Sequence, residues 1–115
     1  MQYMLLIHSS ETAVQSAPQE ATARMHAAYM AYTDAIAQAG VVVNSNRLRP
    51  TSATTTVRVV DGKTQVLDGP YAETKEQLLG FYLVDCKNLD EALDVARELG
   101  AANPGGAYEI RPVGM

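Results

Sequence analysis

The hydrophobic pattern of the first forty residues predicts one strand and one long helix. Residues 3–8 are apolar on both alternating faces, as in a central strand that is covered on both sides. Between Pro18 and Ala39, apolar residues recur at spacings of three and four, which is the period of an amphipathic helix. Pro18 suits the first turn of that helix, and Gly40 suits its end.

The rest of the chain predicts a sheet and a second helix. Asp61-Gly62 lies between two strand-like runs and is a strong signal for a hairpin turn. Asn88 begins a second helix with Glu91 three residues later, as in a capping box, and Gly100 ends it. Residues 103–106 are a turn-prone loop. The predicted strands of this part cover residues 41–49, 54–60, 64–67, 79–85 and 107–112.

This order of elements predicts a single α+β domain over residues 1–115. It matches a ferredoxin-like, split βαβ antiparallel sheet with two helices on one face and an extra β-hairpin. Two helices cannot cover both faces of such a sheet, so Met4, Leu6, Tyr82 and Val84 would form an uncovered apolar face. We expect a second copy of the chain to cover this face in a homodimer.

Charge and composition exclude several classes of function. Nine Lys and Arg against thirteen Asp and Glu give a net charge of -4. The basic residues are scattered singly between Arg24 and Arg111, so we expect no direct nucleic-acid partner. Residues 4–7 are too few for a signal peptide or a membrane span, which predicts a cytoplasmic protein without a membrane partner. Cys86 is the single cysteine, so we expect it to be a small buried hydrophobic side chain without a disulfide partner. For the protein as a whole we expect no metal and no cofactor.

One turn-rich polar segment concentrates charged and hydroxyl groups: Asp68-Gly69-Pro70-Tyr71-Ala72-Glu73-Thr74-Lys75-Glu76. Together with Gly80-Phe81-Tyr82 and residues 109–113, this segment is similar to the YCII-related, DGPF-domain family, and the resemblance covers nearly the whole chain. The family implies a ferredoxin-like fold that forms dimeric α+β barrels, with enzymatic activity generally unassigned. Some relatives are associated with sigma factors, which implies a regulatory setting.

The resemblance also indicates where this chain departs from its relatives. Tyr71 stands where the family pattern usually has Phe, which adds a hydroxyl that is either incidental or a ligand contact. More distant YCII-type relatives carry a His on the first helix and an Asp near the loop before the last strand, proposed as an acid/base pair. His26 matches the first of these, whereas residues 101–104 contain no Asp. The pair therefore does not transfer intact.

The candidate acid/base residues each have a structural alternative. His26 lies at the margin of the apolar stripe of its helix, where an imidazole transfers protons or is simply packed or solvated. His8, at the end of the first strand, is a weaker candidate for the same role. Asp68 precedes Gly69, so its carboxylate either accepts backbone N–H groups and tightens the turn or acts as a general base.

The candidate binding residues are mostly charged. Arg47 and Arg49 are two residues apart, so in an extended chain they point the same way and could hold a carboxylate or phosphate; equally, they are edge-strand charges that discourage aggregation. Glu73 and Glu76 form a local salt-bridge cluster with Lys75, or Lys75 binds an anionic ligand.

Two functional hypotheses follow. The first is a dimeric binding or regulatory module that has a polar cleft beside residues 68–76, with a small polar or anionic ligand or another protein as its partner. The second is an enzyme that acts on a small polar metabolite, with His26 for proton transfer, Arg47 and Lys75 for charge, and Tyr71 and Tyr82 as walls. We rank the binding module ahead.

Overall fold

A computed structural model describes residues 1–102 and 105–114 of the chain. Within these residues there are six strands, three helices and one turn of 3-10 helix at Thr51–Ala53. The elements are β1 (Gln2–Ser9), α1 (Glu11–Ser16), α2 (Gln19–Gln38), β2 (Val42–Arg47), β3 (Thr55–Val60), β4 (Lys63–Asp68), β5 (Gln77–Asp85), α3 (Leu89–Ala102) and β6 (Ala107–Pro112).

The strands form one antiparallel sheet and a separate hairpin. Four strands pair in the order β2-β5-β1-β6, whereas β3 and β4 pair only with each other. The α+β class is therefore confirmed, and β1 is a central strand as its pattern predicts. The predicted hairpin turn is confirmed too, since Asp61 and Gly62 both have positive φ, 51° and 75°, as a type I′ turn requires.

The hydrophobic core lies between one face of the four-stranded sheet and the helices. Leu5, Val84 and Leu99 are fully buried within it. Tyr3 pairs with Val84 and Leu5 pairs with Tyr82 across the sheet, so these side chains share the helix-covered face. The prediction that Tyr82 and Val84 lie on the uncovered face is therefore wrong, because the register of β5 against β1 turns them toward the helices.

None of the described elements forms a layer on the other face of the sheet. Met4 pairs with Leu83 and Leu6 pairs with Phe81, and all four side chains are only half-buried. The molecule measures 46 × 41 × 19 Å, and the short dimension accommodates one sheet and one layer of helices. We call Met4, Leu6, Phe81 and Leu83 the open sheet face.

The helices begin and end close to the predicted positions, with two differences. The Glu91 N–H donates to the Asn88 side chain at 3.1 Å, which confirms the predicted cap of α3. The helix continues past Gly100 to Ala102, and the ring of Tyr108 lies beside Gly100. The short α1, capped by Ser10, was not predicted because six residues are too few for a periodic pattern. Residues 103 and 104 of the predicted loop lie outside the described residues.

Candidate functional site

The N-terminal part of α2 leaves a cleft above the sheet. Of the twenty residues in α2, only Ile36, near the C-terminal end, is buried. The space beneath the earlier turns has a volume of about 390 Å³, and five elements form its walls. We call it the α2 cleft; it is lined by Ile7, Val14, Thr22, Met25, His26, Tyr29, Met30, Thr33, Ser45, Asn46, Arg47, Leu79, Gly80, Phe81 and Tyr82.

The lining of the α2 cleft is mainly apolar and partly aromatic. Tyr29 and Tyr82 contribute rings, and Met25 and Met30 contribute flexible thioether side chains. Ligand pockets are typically apolar with a few placed polar groups, and flexible Met side chains adapt to irregular ligand shapes. The α2 cleft therefore suits the apolar body of a small molecule.

Gly80 allows β2 to approach β5 closely beside the cleft. A Cβ atom built on Gly80 would lie 2.8 Å from the main-chain oxygen of Asn46 and 3.4 Å from the Cα of Arg47. Any larger residue would push β2 away from β5. The absence of a side chain at Gly80 thus sets the position of Arg47 relative to the cleft.

Apart from its tyrosines, the ionisable groups of the α2 cleft are basic. His26 and Arg47 are both exposed at its edge, and the described lining residues include no Asp or Glu. In the described part of the chain, Arg47 forms no ion pair. A cleft with an unpaired guanidinium in a protein of net charge -4 favours an anionic group over a cationic one.

Hydroxyl groups line the inner end of the α2 cleft. The Thr33 hydroxyl and the Tyr82 hydroxyl form a hydrogen bond of 2.5 Å. The Tyr29 hydroxyl is hydrogen-bonded to the Tyr108 hydroxyl, which also donates to the Leu99 carbonyl oxygen at 3.2 Å. Burial raises the pKa of Tyr82, and the Thr33 hydrogen bond only partly offsets that effect. The Tyr82 phenol therefore stays neutral at physiological pH and adds no negative charge.

The structure brings together only some of the residues that the sequence singled out. His26, Arg47 and Tyr82 meet at the α2 cleft. The other candidates, Asp68, Tyr71, Glu73 and Lys75, are exposed and do not line it.

The polar segment at residues 68–76 is held by its backbone more than by its charges. Across the described residues, the Asp68 carboxylate accepts no hydrogen bond, and neither Glu73 nor Lys75 forms an ion pair. Instead, the Gly69 N–H donates to the Thr54 carbonyl oxygen at 2.8 Å, and the Thr56 hydroxyl donates to the Gly69 carbonyl oxygen at 2.7 Å. Gly69 has a φ of 102°, which glycine adopts without strain. Glycine at this position therefore has a structural role.

Tyr71 contacts the hairpin and not the α2 cleft. Its side chain is 75% exposed, and the guanidinium carbon of Arg58 lies 5.6 Å from the centre of its ring. This distance is within the range of a cation–π contact. The predicted role of Tyr71 as a wall beside Tyr82 has no support in this geometry.

A second, more open groove lies beside the polar segment. It has a volume of about 580 Å³ and is lined by His8, Thr74, Lys75, Glu76, Ala107, Tyr108 and Glu109. The His8 Nε2 atom lies 3.8 Å from the Glu109 carboxylate, which is also 3.8 Å from the Arg111 guanidinium. The carboxylates of Glu76 and Glu109 are both exposed, and fewer elements form the walls of this groove. The groove therefore encloses a small molecule less well than the α2 cleft does.

Sequence reasoning missed the residues that tie the polar segment to the rest of the fold. The Gln77 side chain accepts a hydrogen bond from the Glu11 N–H at 2.9 Å and donates to the Thr74 carbonyl oxygen at 2.6 Å. The Glu11 carboxylate in turn accepts from the Thr51 N–H at 2.9 Å and the Thr51 hydroxyl at 3.1 Å. These contacts join positions 40 and 66 residues apart, which no local pattern reveals.

Two features are absent from residues 1–102 and 105–114. Those residues contain no group of three or more His, Cys, Asp or Glu side chains arranged to hold a metal ion. None of their helices has both the length and the apolar character needed to cross a bilayer.

The fold and the α2 cleft define a small α+β protein with a candidate ligand site. The profile of the YCII-related domain matches residues 1–114, so the chain belongs to the YCII-related family. The resemblance based on residues 68–76 is thereby confirmed.

The chain is also similar to an uncharacterized protein of Rhizobium meliloti (strain 1021). The two are 46% identical over 116 residues, which span 100% of this chain and 94% of the relative. Neither the family description nor the name of the relative states an activity.

Proposed function

We propose that the protein is a homodimeric binding protein that takes small amphipathic anions into the α2 cleft. The apolar body of the ligand lies among the aromatic and Met side chains, and its anionic group lies beside Arg47. The observation that carries this proposal is the composition of the cleft: apolar walls, two basic side chains and no carboxylate among its described lining residues.

A pair of dyes that differ in charge tests this proposal. The probes are 8-anilinonaphthalene-1-sulfonate and the neutral N-phenyl-1-naphthylamine, titrated by fluorescence. We expect the sulfonate to bind about tenfold more tightly, because a charged hydrogen bond contributes about 1.5 kcal/mol or more. Arg47→Met should abolish the preference for the sulfonate, whereas Arg49→Met, two residues further along and outside the cleft lining, should retain it.

A variant that fills the α2 cleft locates the bound dye. Met25→Trp places a larger ring in the cleft and should weaken both dyes. If Met25→Trp leaves both affinities unchanged, the dyes bind elsewhere and the proposal is wrong. If the neutral dye binds as tightly as the sulfonate and both respond to Met25→Trp, the cleft binds small molecules but does not select anions.

Acid/base catalysis by His26 remains the second candidate function. It is favoured by the position of His26 on the α2 cleft, beside any ligand held there. A general acid/base pair would need a second group, and the described lining residues of one chain supply no carboxylate. For this reason we place binding ahead of catalysis.

We propose in addition that the fold is ferredoxin-like and that two copies form a dimeric α+β barrel. The strand order β2-β5-β1-β6, with α2 between β1 and β2 and α3 between β5 and β6, supports two interleaved βαβ units. The open sheet face supports the dimer, because stacking two such faces would remove their apolar side chains from water.

A further inference from the structure

The β3–β4 hairpin extends from the domain without packing on it. We call residues 55–68 the hairpin arm. Every residue of its two strands except Thr56 is exposed. The radius of gyration of the molecule is 15.9 Å, against about 13 Å for a compact domain of this length. The exposed arm is one reason why the radius of gyration exceeds that of a compact domain, and its surface is uncovered in a single copy of the chain.

One face of the hairpin arm is apolar and bare. Val57 pairs with Val66, and Val59 lies two residues from Val57, so the three side chains share a face. The exposed fractions of Val57, Val66 and Val59 are 58%, 63% and 67%. Arg58 belongs to the opposite face, where it contacts Tyr71. We call the first of these the valine face.

Such an arm is not stable by itself in water. An isolated two-stranded hairpin is marginally stable at best, and β-branched residues favour strands chiefly where their side chains pack against a neighbouring surface. Within one copy, none of the described residues covers the valine face, so we expect a surface from elsewhere to cover it.

The area of the open sheet face indicates that a second copy provides this surface. Four strands about 4.8 Å apart and about six residues long present about 400 Å² per copy, or about 800 Å² for two faces. A stable interface buries about 1,200–2,000 Å² in total. Each of two arms would bury about 200 Å² of its own surface and about 200 Å² of the other copy, so the two arms together raise the total to about 1,600 Å².

The charge of the arm is compatible with contact between two acidic chains. Arg58 and Lys63 balance Asp61 and Asp68, so residues 55–68 are neutral although the whole chain has a net charge of -4. Two copies repel one another least where this neutral segment forms the contact.

We propose that the hairpin arm is a dimerisation arm, which reaches across to a second copy and packs its valine face there. The contact is symmetrical, since each copy gives one arm and receives the other.

Removal of the arm tests this proposal directly. Thr56 and Leu67 face each other across the hairpin, so residues 57–66 can be replaced by Asn-Gly without breaking the four-stranded sheet. We expect sedimentation velocity to show at least a tenfold weaker dimer, with cooperative thermal unfolding retained. Dye binding in the α2 cleft should also be retained, which separates failure here from failure of the proposed function.

A point substitution provides the matched control. Val59→Glu puts a charge on the valine face and should weaken the dimer in the same way, whereas Gln65→Glu, on the other face of the arm, should not. Amide exchange in the arm should slow when the dimer forms. The proposal is overturned if the wild type is a monomer at 100 micromolar. It is also overturned if the armless variant dimerises as tightly as the wild type, or if the arm amides exchange equally fast in monomer and dimer. Either of these last two results would point to a different protein as the partner that covers the valine face.

Discussion

At the scale of single residues, Gly80 and Arg47 show how one small side chain controls the position of a larger one. Gly80 brings the β2 backbone within contact of β5, and Arg47 is the residue of β2 that pairs with it. The sequence marks Arg47 as a candidate through its charge. It gives no sign that Gly80 is required for packing, because the close contact comes from a strand more than thirty residues earlier.

Replacing Gly80 by Ala should destabilise the fold. The added Cβ would lie 2.8 Å from the Asn46 carbonyl oxygen, and relieving that clash requires β2 to move. Overpacking of this kind costs about 1–3 kcal/mol, so we expect differential scanning calorimetry to show a melting temperature lower by about 5–15 °C. Gly114→Ala is the control, since a Cβ there meets no atom within 4 Å. Equal melting temperatures for the two variants would show that β2 moves away from the added Cβ without loss of stability.

At the scale of elements, the polar segment depends on its connection to α1. Gln77 joins the backbone of residues 74 and 11, and Glu11 joins α1 to the turn of 3-10 helix at Thr51. Three segments that are distant in sequence therefore hold one another. Periodicity predicts most strands and helices well. It does not predict α1, which depends on a local cap by Ser10, or these side-chain links, which depend on long-range contacts.

Removal of the Gln77 side chain should loosen the polar segment. Gln77→Ala loses two hydrogen bonds of about 0.5–1.5 kcal/mol each. We expect faster amide exchange across residues 68–76 and a melting temperature lower by a few degrees. Gln15→Ala, an exposed position in α1, should change neither. Unchanged exchange in Gln77→Ala would mean that the hydrogen bonds of Gly69 hold the segment by themselves.

At the scale of the whole molecule, the described part of the chain has two layers and two uncovered apolar surfaces. The open sheet face and the valine face lie on different sheets, yet both are apolar in a chain of net charge -4. A single contact between two copies that involves both surfaces would bury them together.

A charge on the open sheet face should separate the two copies. Leu6→Glu places a carboxylate beside Phe81 on this face, where dimerisation would bury it without a partner. We expect light scattering at 10–100 micromolar to find a dimer for the wild type and a monomer for this variant. Leu89→Glu, which changes an exposed leucine at the start of α3, should remain dimeric. A dimer of Leu6→Glu as tight as the wild type would show that the interface lies elsewhere.

The sequence by itself determined the α+β class, the central position of β1, the hairpin turn and membership of the family. These depend on local periodicity, turn chemistry and one dense motif, all of which lie within short stretches of chain. Only the tertiary structure decided which face Tyr82 and Val84 occupy, and that His26, Arg47 and Tyr82 meet whereas Asp68, Tyr71, Glu73 and Lys75 lie apart from them. The physical reason is register: a shift of one residue in strand pairing exchanges the two faces of a sheet, and no local pattern fixes it when both faces are apolar.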